Sequence, residues 1–320
     1  MILPNPKLAR SQHLSHMSTV FSPSTDFLSL FPSYIPCCMH EVLLTQCVGD
    51  VNMSNTPEEQ TYIFTTLRFD PALRDNTANT AASGGIQSSV YLLQYHFDRL
   101  KEAAAALGGY EETSLLNNAL ASPPALDEAL SEAIQAQVDL SNERHTELSG
   151  PFRVRMAMKP GGSVDIQCPQ IPQTNPILFP ETLDDYGTPS WTVYLDTRPT
   201  EKSVHTSFKT SQRHAYDRAR QAAGCTLTGS IEVLLYNPAG QVMDASITTP
   251  YFHRDGRWVT PPMSAGGQQG TTRRWALANH LCSEANVAVD SLREGEVVWL
   301  SNAARGFFTA SFASRLTTSE

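Results

Sequence analysis

The sequence predicts a two-domain α+β protein, on three observations. Strand-like and helix-like runs alternate over residues 58–168, a proline-rich stretch without periodicity follows at 169–190, and from 191 to 320 short strands joined by glycine-bearing turns dominate. A chain of 320 residues is long enough to bury two modest cores. The expected units are therefore an extension over 1–57, a small α/β domain over 58–168, a connection over 169–190 and a larger domain over 191–320.

Charge and composition exclude several function classes. A net charge of -9 and a pI near 5.5 argue against a nucleic-acid partner, whose surface would need a clustered Lys/Arg excess. No apolar run reaches the length of a bilayer span, so a soluble, cytoplasmic protein without a membrane partner is expected. Six cysteines at irregular positions (Cys37, Cys38, Cys47, Cys168, Cys225, Cys282) make neither a disulfide framework nor a metal site, and a reducing compartment is the simplest reading.

Residues 1 to about 56 are rich in Ser, Pro and His, carry no acid before Asp26 and lack periodicity, so the fold is expected to start near Met53. Lys7 and Arg10 are too thin a basic content for a targeting segment.

From Tyr62 to Asp70, apolar and polar residues roughly alternate as in a strand. After Gly84-Gly85 the run VYLLQYHFDRLKEAAAALGG reads as a strand leading into a helix closed by Gly108-Gly109. Within it His96 and Arg99 are one turn apart and share a face. Arg99 either holds an anion with its guanidinium fork or pairs with Asp98 or Glu102 on the surface.

Pro124 to Asn142 forms an amphipathic helix that suggests packing. FRVRMAM and SVDIQC then flank a Lys159-Pro160-Gly161-Gly162 turn, with Arg153 and Arg155 on one strand face. Those two arginines are either a salt-bridged exterior or a grip on a carboxylated substrate.

In the C-terminal half, WTVYLD (191–196) is a strand, Arg198-Pro199-Thr200 a turn, and His214 to Ala223 a helix stopped by Gly224. Lys209 falls where the strand-like stretch gives way to that helix, and by itself it is an ordinary lysine. Glu232 to Tyr236 is a buried strand, Asn237 to Gly240 a turn, and QVMDASITTPYFHRDGRWVTPP two or three strands with a turn at Asp255-Gly256. Asp244 lies among apolar and small neighbours, which is not the setting of an exposed loop acid. SAGGQQGTTRR runs into a helix expected from Arg273 to Cys282, offering N–H groups through Thr271 and Thr272 to an anion. VVWL is a last buried strand, followed by Ser301 and Asn302 as further donors.

Taken in order, FTTLRFD, HFDRL, FKTSQRHAYDRA, EVLLYNPAGQVMDASITTPYF, WVTPPMSAGGQQGTTRR and VVWLSNAARGF resemble the class IV aminotransferases, the fold type IV pyridoxal-phosphate enzymes, over about residues 60–315. The likeness is to the fungal 4-amino-4-deoxychorismate lyase-like members. It implies a larger domain with a mixed barrel-like sheet, pyridoxal 5'-phosphate as cofactor and, commonly for the family, a homodimer.

By that resemblance Lys209 matches the lysine that bonds the cofactor and acts as catalytic base. Arg99 matches the phosphate-binding arginine, Thr271 with Thr272 the loop that completes the phosphate cup, and Ser301 and Asn302 further phosphate contacts.

Asp244, 35 positions after the lysine, stands where the family usually has a glutamate beside the pyridine nitrogen. The side chain is shorter by one bond, roughly 1.5 Å. The carboxylate still serves to keep that nitrogen protonated and strengthen the electron sink. Thr249 stands near a position where many members have asparagine, and KPGGSV replaces the glycine- and arginine-rich substrate loop of some bacterial lyases.

Thr65, Arg68, Arg153, Arg155 and Arg213 are the candidate contacts to a small carboxylated amine substrate. Arg213 sits where related lyases also have an arginine. His214 and Tyr216 are possible contacts to the cofactor's ring hydroxyl, or helix packing. Three outcomes stay open: a lyase making 4-aminobenzoate and pyruvate for folate synthesis, a class IV aminotransferase acting on an amino acid or amine, and a member without activity.

Overall fold

The first expected strand is β1, Ile63–Phe69, in a computed structural model that describes residues 60–110, 118–141, 150–226 and 228–315. The expected extension over 1–57, with Lys7, Arg10 and three of the cysteines, lies outside the described residues. β1 pairs antiparallel with β2, Phe152–Met158, which pairs with β3, Val164–Gln167. Arg68 stands opposite Arg153, and Thr66 opposite Arg155.

β1 is buried on both faces because both of its ends gain an extra partner. Phe64 N–H donates to the Lys209 carbonyl at 3.0 Å and Ser211 N–H to the Tyr62 carbonyl at 2.9 Å, while Phe69 bridges Val90. α1 (Thr77–Ala82), α2 (Leu93–Leu107) and α3 (Pro123–Ser141) accompany this sheet. Leu67, Val154 and Met156 pack with Leu93, Phe97 and Leu100 of α2 and Leu126 and Leu130 of α3 in one apolar core.

The strand expected ahead of α2 does not extend beyond the single bridge at Val90. Leu92, just before the helix, is turned into the left-handed region (φ 60°), a strain of roughly 1–2 kcal/mol for a non-glycine residue. Asn79 explains how it persists: its side chain, fully buried, accepts from Leu92 N–H and donates to the Ser88 and Val90 carbonyls. The local apolar run reads as extended, and a buried asparagine from another helix bends it.

The second sheet has eight strands: β4 (Trp191–Leu195), β5 (Ile231–Tyr236), β6 (Val242–Ala245), β7 (Thr249–Arg254), β8 (Arg257–Thr260), β9 (Ser283–Glu284), β10 (Val297–Asn302) and β11 (Gly306–Arg315). It is mixed, in the order β6-β5-β4-β11-β10-β7-β8-β9, with β4 parallel to both β5 and β11. The strand period of two is visible in β5. Leu234 and Tyr236 join the core with Val193 and Phe252, and Val233 and Leu235 join the one with Tyr216 and Met243.

The proline-rich segment is docked rather than free-running. Phe307 N–H donates to the Ile177 carbonyl at 2.7 Å, and the indole N–H groups of Trp299 and Trp258 reach the Leu183 carbonyl and the Asp184 carboxylate.

Two expected helix positions change in the second half. Lys209 does not follow a strand: α4 (Val204–Ser207) precedes it and α5 (His214–Ala222) follows. Ser203 and Thr206 form a capping box that nucleates α4, which four residues of sequence do not advertise. The helix expected from Arg273 is α6, Thr271–Ala278. It starts earlier because the Gly270 carbonyl already accepts Arg274 N–H at 3.0 Å, and it ends where His280 turns left-handed. Ser301 and Asn302 lie within β10 rather than after it.

Among the described residues no helix is long and apolar enough to cross a membrane.

Candidate active site

A cleft of about 1340 Å³ opens between the two sheets, and Lys209, Arg99, Asp244, Thr271, Thr272, Ser301 and Asn302 all line it. Residues separated by up to two hundred positions in sequence meet there because β1 is clamped to the 209–211 segment on one side and the Ala303 carbonyl accepts Arg68 N–H, at 2.9 Å, on the other.

Lys209 has its Nζ over the Phe64 ring, 4.9 Å from the centroid. Burial first, then the charges of Arg213 and Arg99, hold its ammonium well below the ordinary lysine range, while Asp244 opposes them. The shift favours the neutral amine, the form that a nucleophile and a proton acceptor both require.

Asp244 is 5% exposed and sits on β6. Its Oδ2 accepts from Tyr216 O–H at 3.2 Å and Gln268 N–H at 3.1 Å, and its Oδ1 from Ala245 N–H at 2.9 Å. Burial still outweighs these donors and raises the carboxyl to about 7. The loop that brings Gln268 here needs glycine at 267, where a Cβ would lie 1.9 Å from the Met243 carbonyl oxygen and 2.9 Å from the Asp244 Cβ. That close approach lets the backbone meet the shorter acid. Tyr216 therefore braces Asp244, while His214 is exposed, bonds Gln212 at 3.1 Å and does not line the cleft.

A second corner is built to receive an anion. Arg99 Nη2 donates to Thr65 Oγ1, which is also hydrogen-bonded to His96 Nδ1 at 2.7 Å. His96 Nε2 is buried without a partner, and burial followed by the charges of Arg99 and Lys209 keeps the ring neutral. Arg99 Nε and Thr271 Oγ1 are also buried and unpartnered.

Thr271 and Thr272 open α6, so their N–H groups precede the helical hydrogen-bond ladder. Ser301 Oγ donates to Thr272 Oγ1 at 2.8 Å and meets Tyr251 Oη at 2.8 Å, fixing that side chain from behind. Glu102, one alternative partner for Arg99, instead takes both guanidinium nitrogens of Arg274 on α6.

The remaining predicted residues divide. Arg155 and Arg213 face the cleft: Arg155 lies over the Phe64 ring at 4.4 Å and donates to Tyr62 Oη, and Arg213 donates to the Ser246 carbonyl at 2.8 Å with Nη1 left unpartnered. Arg153 faces it as well. Arg68 also borders the cleft but is held at 2.8 Å by Asp70 and is almost wholly buried. Thr65 does not line the cleft and acts through Arg99 and His96. The Asn302 side chain bonds the Ile247 carbonyl and accepts from Ala304 and Arg305 N–H, shaping the β10–β11 turn.

Sequence reasoning passed over Glu232. Fully buried, it accepts from Val233 N–H, Ile247 N–H, Thr248 Oγ1 and Ser246 Oγ, with Arg220 3.9 Å away, and so fixes the 246–248 turn on the cleft wall. An acid opening an otherwise apolar strand was the available signal, since a buried carboxylate must be partnered.

The sequence profile of the family described as "Amino-transferase class IV" matches residues 64–311. The chain is 29% identical over 222 residues to a Schizosaccharomyces pombe protein described as "Putative aminodeoxychorismate lyase", covering 68% of this chain and 81% of that one. It is 34% identical over 136 residues to the aminodeoxychorismate lyase of Saccharomyces cerevisiae, covering 38% of this chain and 36% of that protein. The branched-chain amino acid aminotransferase of Escherichia coli superposes with a TM-score of 0.54 at 14% identity, covering 80% of this chain and 77% of that one, a likeness of fold.

Proposed function

Because this chain belongs to the class IV aminotransferase family, we propose that it is a pyridoxal-phosphate-dependent lyase converting 4-amino-4-deoxychorismate to 4-aminobenzoate and pyruvate, a step that supplies a folate precursor. The observation that carries the reading is the meeting of a Lys209 of lowered basicity, a buried acid and a corner of buried, unpartnered donors in one cleft. The names of the two fungal relatives favour the lyase over an aminotransferase.

The donor set fits the cofactor. Arg99 Nε and Thr271 Oγ1, buried and unpartnered beside the first turn of α6, suit its phosphate, and Asp244 suits a protonated ring nitrogen. When bound, pyridoxal phosphate supplies an electron sink for the substrate carbon that bears the amine.

Lys209 Nζ is the group that takes the proton from that carbon, and its lowered basicity favours the neutral amine that can do so. Asp244, held by Tyr216 and Gln268, keeps its carboxylate aimed while sharing a proton. Arg155 and Arg213 orient the enolpyruvyl carboxylate of the substrate. Over the whole conversion the C–O bond to the enolpyruvyl group breaks, its electron pair leaves with the fragment, and one proton is returned to the methylene carbon to give pyruvate. We also propose the small and large domains over 58–168 and 191–320, and a homodimeric assembly.

The test is spectroscopic and then chemical. Purified protein should carry a visible absorbance band that borohydride removes and that Lys209→Ala lacks. Incubated with 4-amino-4-deoxychorismate and no keto-acid acceptor, it should release 4-aminobenzoate and pyruvate. Turnover only with an acceptor present would make it an aminotransferase, and a colourless protein inert to both would end the enzymatic reading.

A further inference from the structure

We propose that Arg153 and Arg305 together form a carboxylate subsite set apart from the Lys209 corner, which selects substrates carrying a second acidic group remote from the reacting amine. Arg305 has no role in any reading given above, and it comes from the other sheet.

The backbone fixes where the two arginines stand. Lys209 is tied to β1 at Phe64, whereas Arg153 stands opposite Arg68, and Arg155 opposite Thr66. Arg153 is two positions from Arg155 along β2, so it lies roughly 7 Å farther along the strand from the Lys209 tie. Arg68 N–H in turn donates to the Ala303 carbonyl at 2.9 Å, which draws the β10–β11 turn, and Arg305 on it, up to this end of β2.

That turn is rigidly made. Asn302 accepts from Arg305 N–H at 2.9 Å and from Ala304 N–H at 3.1 Å. Gly306, at φ 76°, packs so close to the Ile177 carbonyl that a Cβ would come within 2.3 Å of it. Arg305 then extends over the Trp191 ring, 5.1 Å from the centroid, and lines the same cleft as Arg153.

Charge makes the place receptive. Burial first, and then Arg153, lower the basicity of Arg305, with the Glu232 carboxylate opposing them in part. Arg220 nearby is already engaged by Glu232 and Ser246, while Arg153 has no carboxylate partner among the described residues. A carboxylate between the two guanidinium groups would remove their repulsion and gain charge-assisted hydrogen bonds. A ring with its amine at one end and a carboxylate at the other has the matching layout. Only the naming of that substrate rests on the lyase reading; the anion subsite does not.

The test is calorimetric titration of the full chain, with and without added pyridoxal phosphate, using two amine-free probes: 3-(1-carboxyvinyloxy)benzoate, which has both carboxylates, and 2-phenoxyacrylate, which lacks the one on the ring. The wild type should prefer the dicarboxylate by roughly 10- to 100-fold, as expected for a charge-assisted contact. Arg305→Gln and Arg153→Gln should each erase most of that preference, and Arg305→Lys should restore part of it. An unchanged affinity for phenoxyacrylate verifies that the variants are folded. A preference that survives in both glutamine variants, or is absent from the wild type, overturns the subsite. A protein that never shows the visible cofactor band but keeps the preference overturns the lyase reading alone.

Discussion

Replacing Asp244 with asparagine should remove a pH-dependent loss of stability from the cofactor-free protein. The carboxyl is 5% exposed and raised from 3.8 to about 7, with burial as the leading cause, so the folded state binds its proton more tightly than the unfolded chain does. Its contribution is therefore favourable below the unfolded value and is lost as pH climbs through the window from about 4 to 7, after which it is constant. A window of about three pH units at roughly 1.36 kcal/mol each gives a loss on the order of 4 kcal/mol.

The amide introduced by Asp244→Asn cannot ionise, so the variant's stability should be nearly flat across the same window. Lys209, which faces Asp244, shifts in the opposite sense and is present in both proteins. The assay is urea unfolding of the two cofactor-free proteins at half-unit steps of pH, and the quantity read is the difference between them. It should move in favour of the variant with a slope no steeper than about 1.36 kcal/mol per unit. Parallel stability curves between pH 4 and 7 would refute a desolvated carboxyl at 244, and with it the account of how that acid is poised for a ring nitrogen.

Two further substitutions probe the supports of the site. Thr65→Val removes the hydroxyl that links Arg99 to His96, so cofactor affinity by absorbance titration should fall about 10- to 100-fold, with a smaller change in kcat at saturating cofactor. Gly267→Ala drives a methyl group to within 1.9 Å of the Met243 carbonyl, and the backbone shift should cost about 3 kcal/mol, lowering Tm by roughly 10 °C and releasing the Gln268 contact to Asp244. An unchanged Tm for that variant would mean the 266–270 loop does not press on β6.

What the chain states locally, it states well. β1, β2, the strands from β5 to β8 and the helices around 93–107 and 123–141 follow from period and punctuation, because apolar runs bounded by turn residues are themselves the signal of these elements. The positions that misled are those where a distant group decides. Asn79 converts an extended-looking run before α2 into a left-handed turn, and the Gly270 carbonyl lets α6 begin at a threonine. Period carries no trace of either, since the donor and acceptor are supplied by tertiary contact.

The same division holds at the site. The order of residues along the chain was enough to say which groups are chemically able to serve: Lys209, Arg99, Asp244 and the two threonines, recognised through the order of their motifs. Their condition and their roles came from the folded arrangement. It paired Arg68 with Asp70 at the cleft wall, set Thr65 behind Arg99 and bent Asn302 into a turn. It also set Glu232 behind the 246–248 turn and brought Arg305 into the cleft wall. The reason is physical: a side chain's charge state and its unspent hydrogen bonds depend on burial and on partners far away along the chain, and those exist only once the two sheets have closed on the cleft.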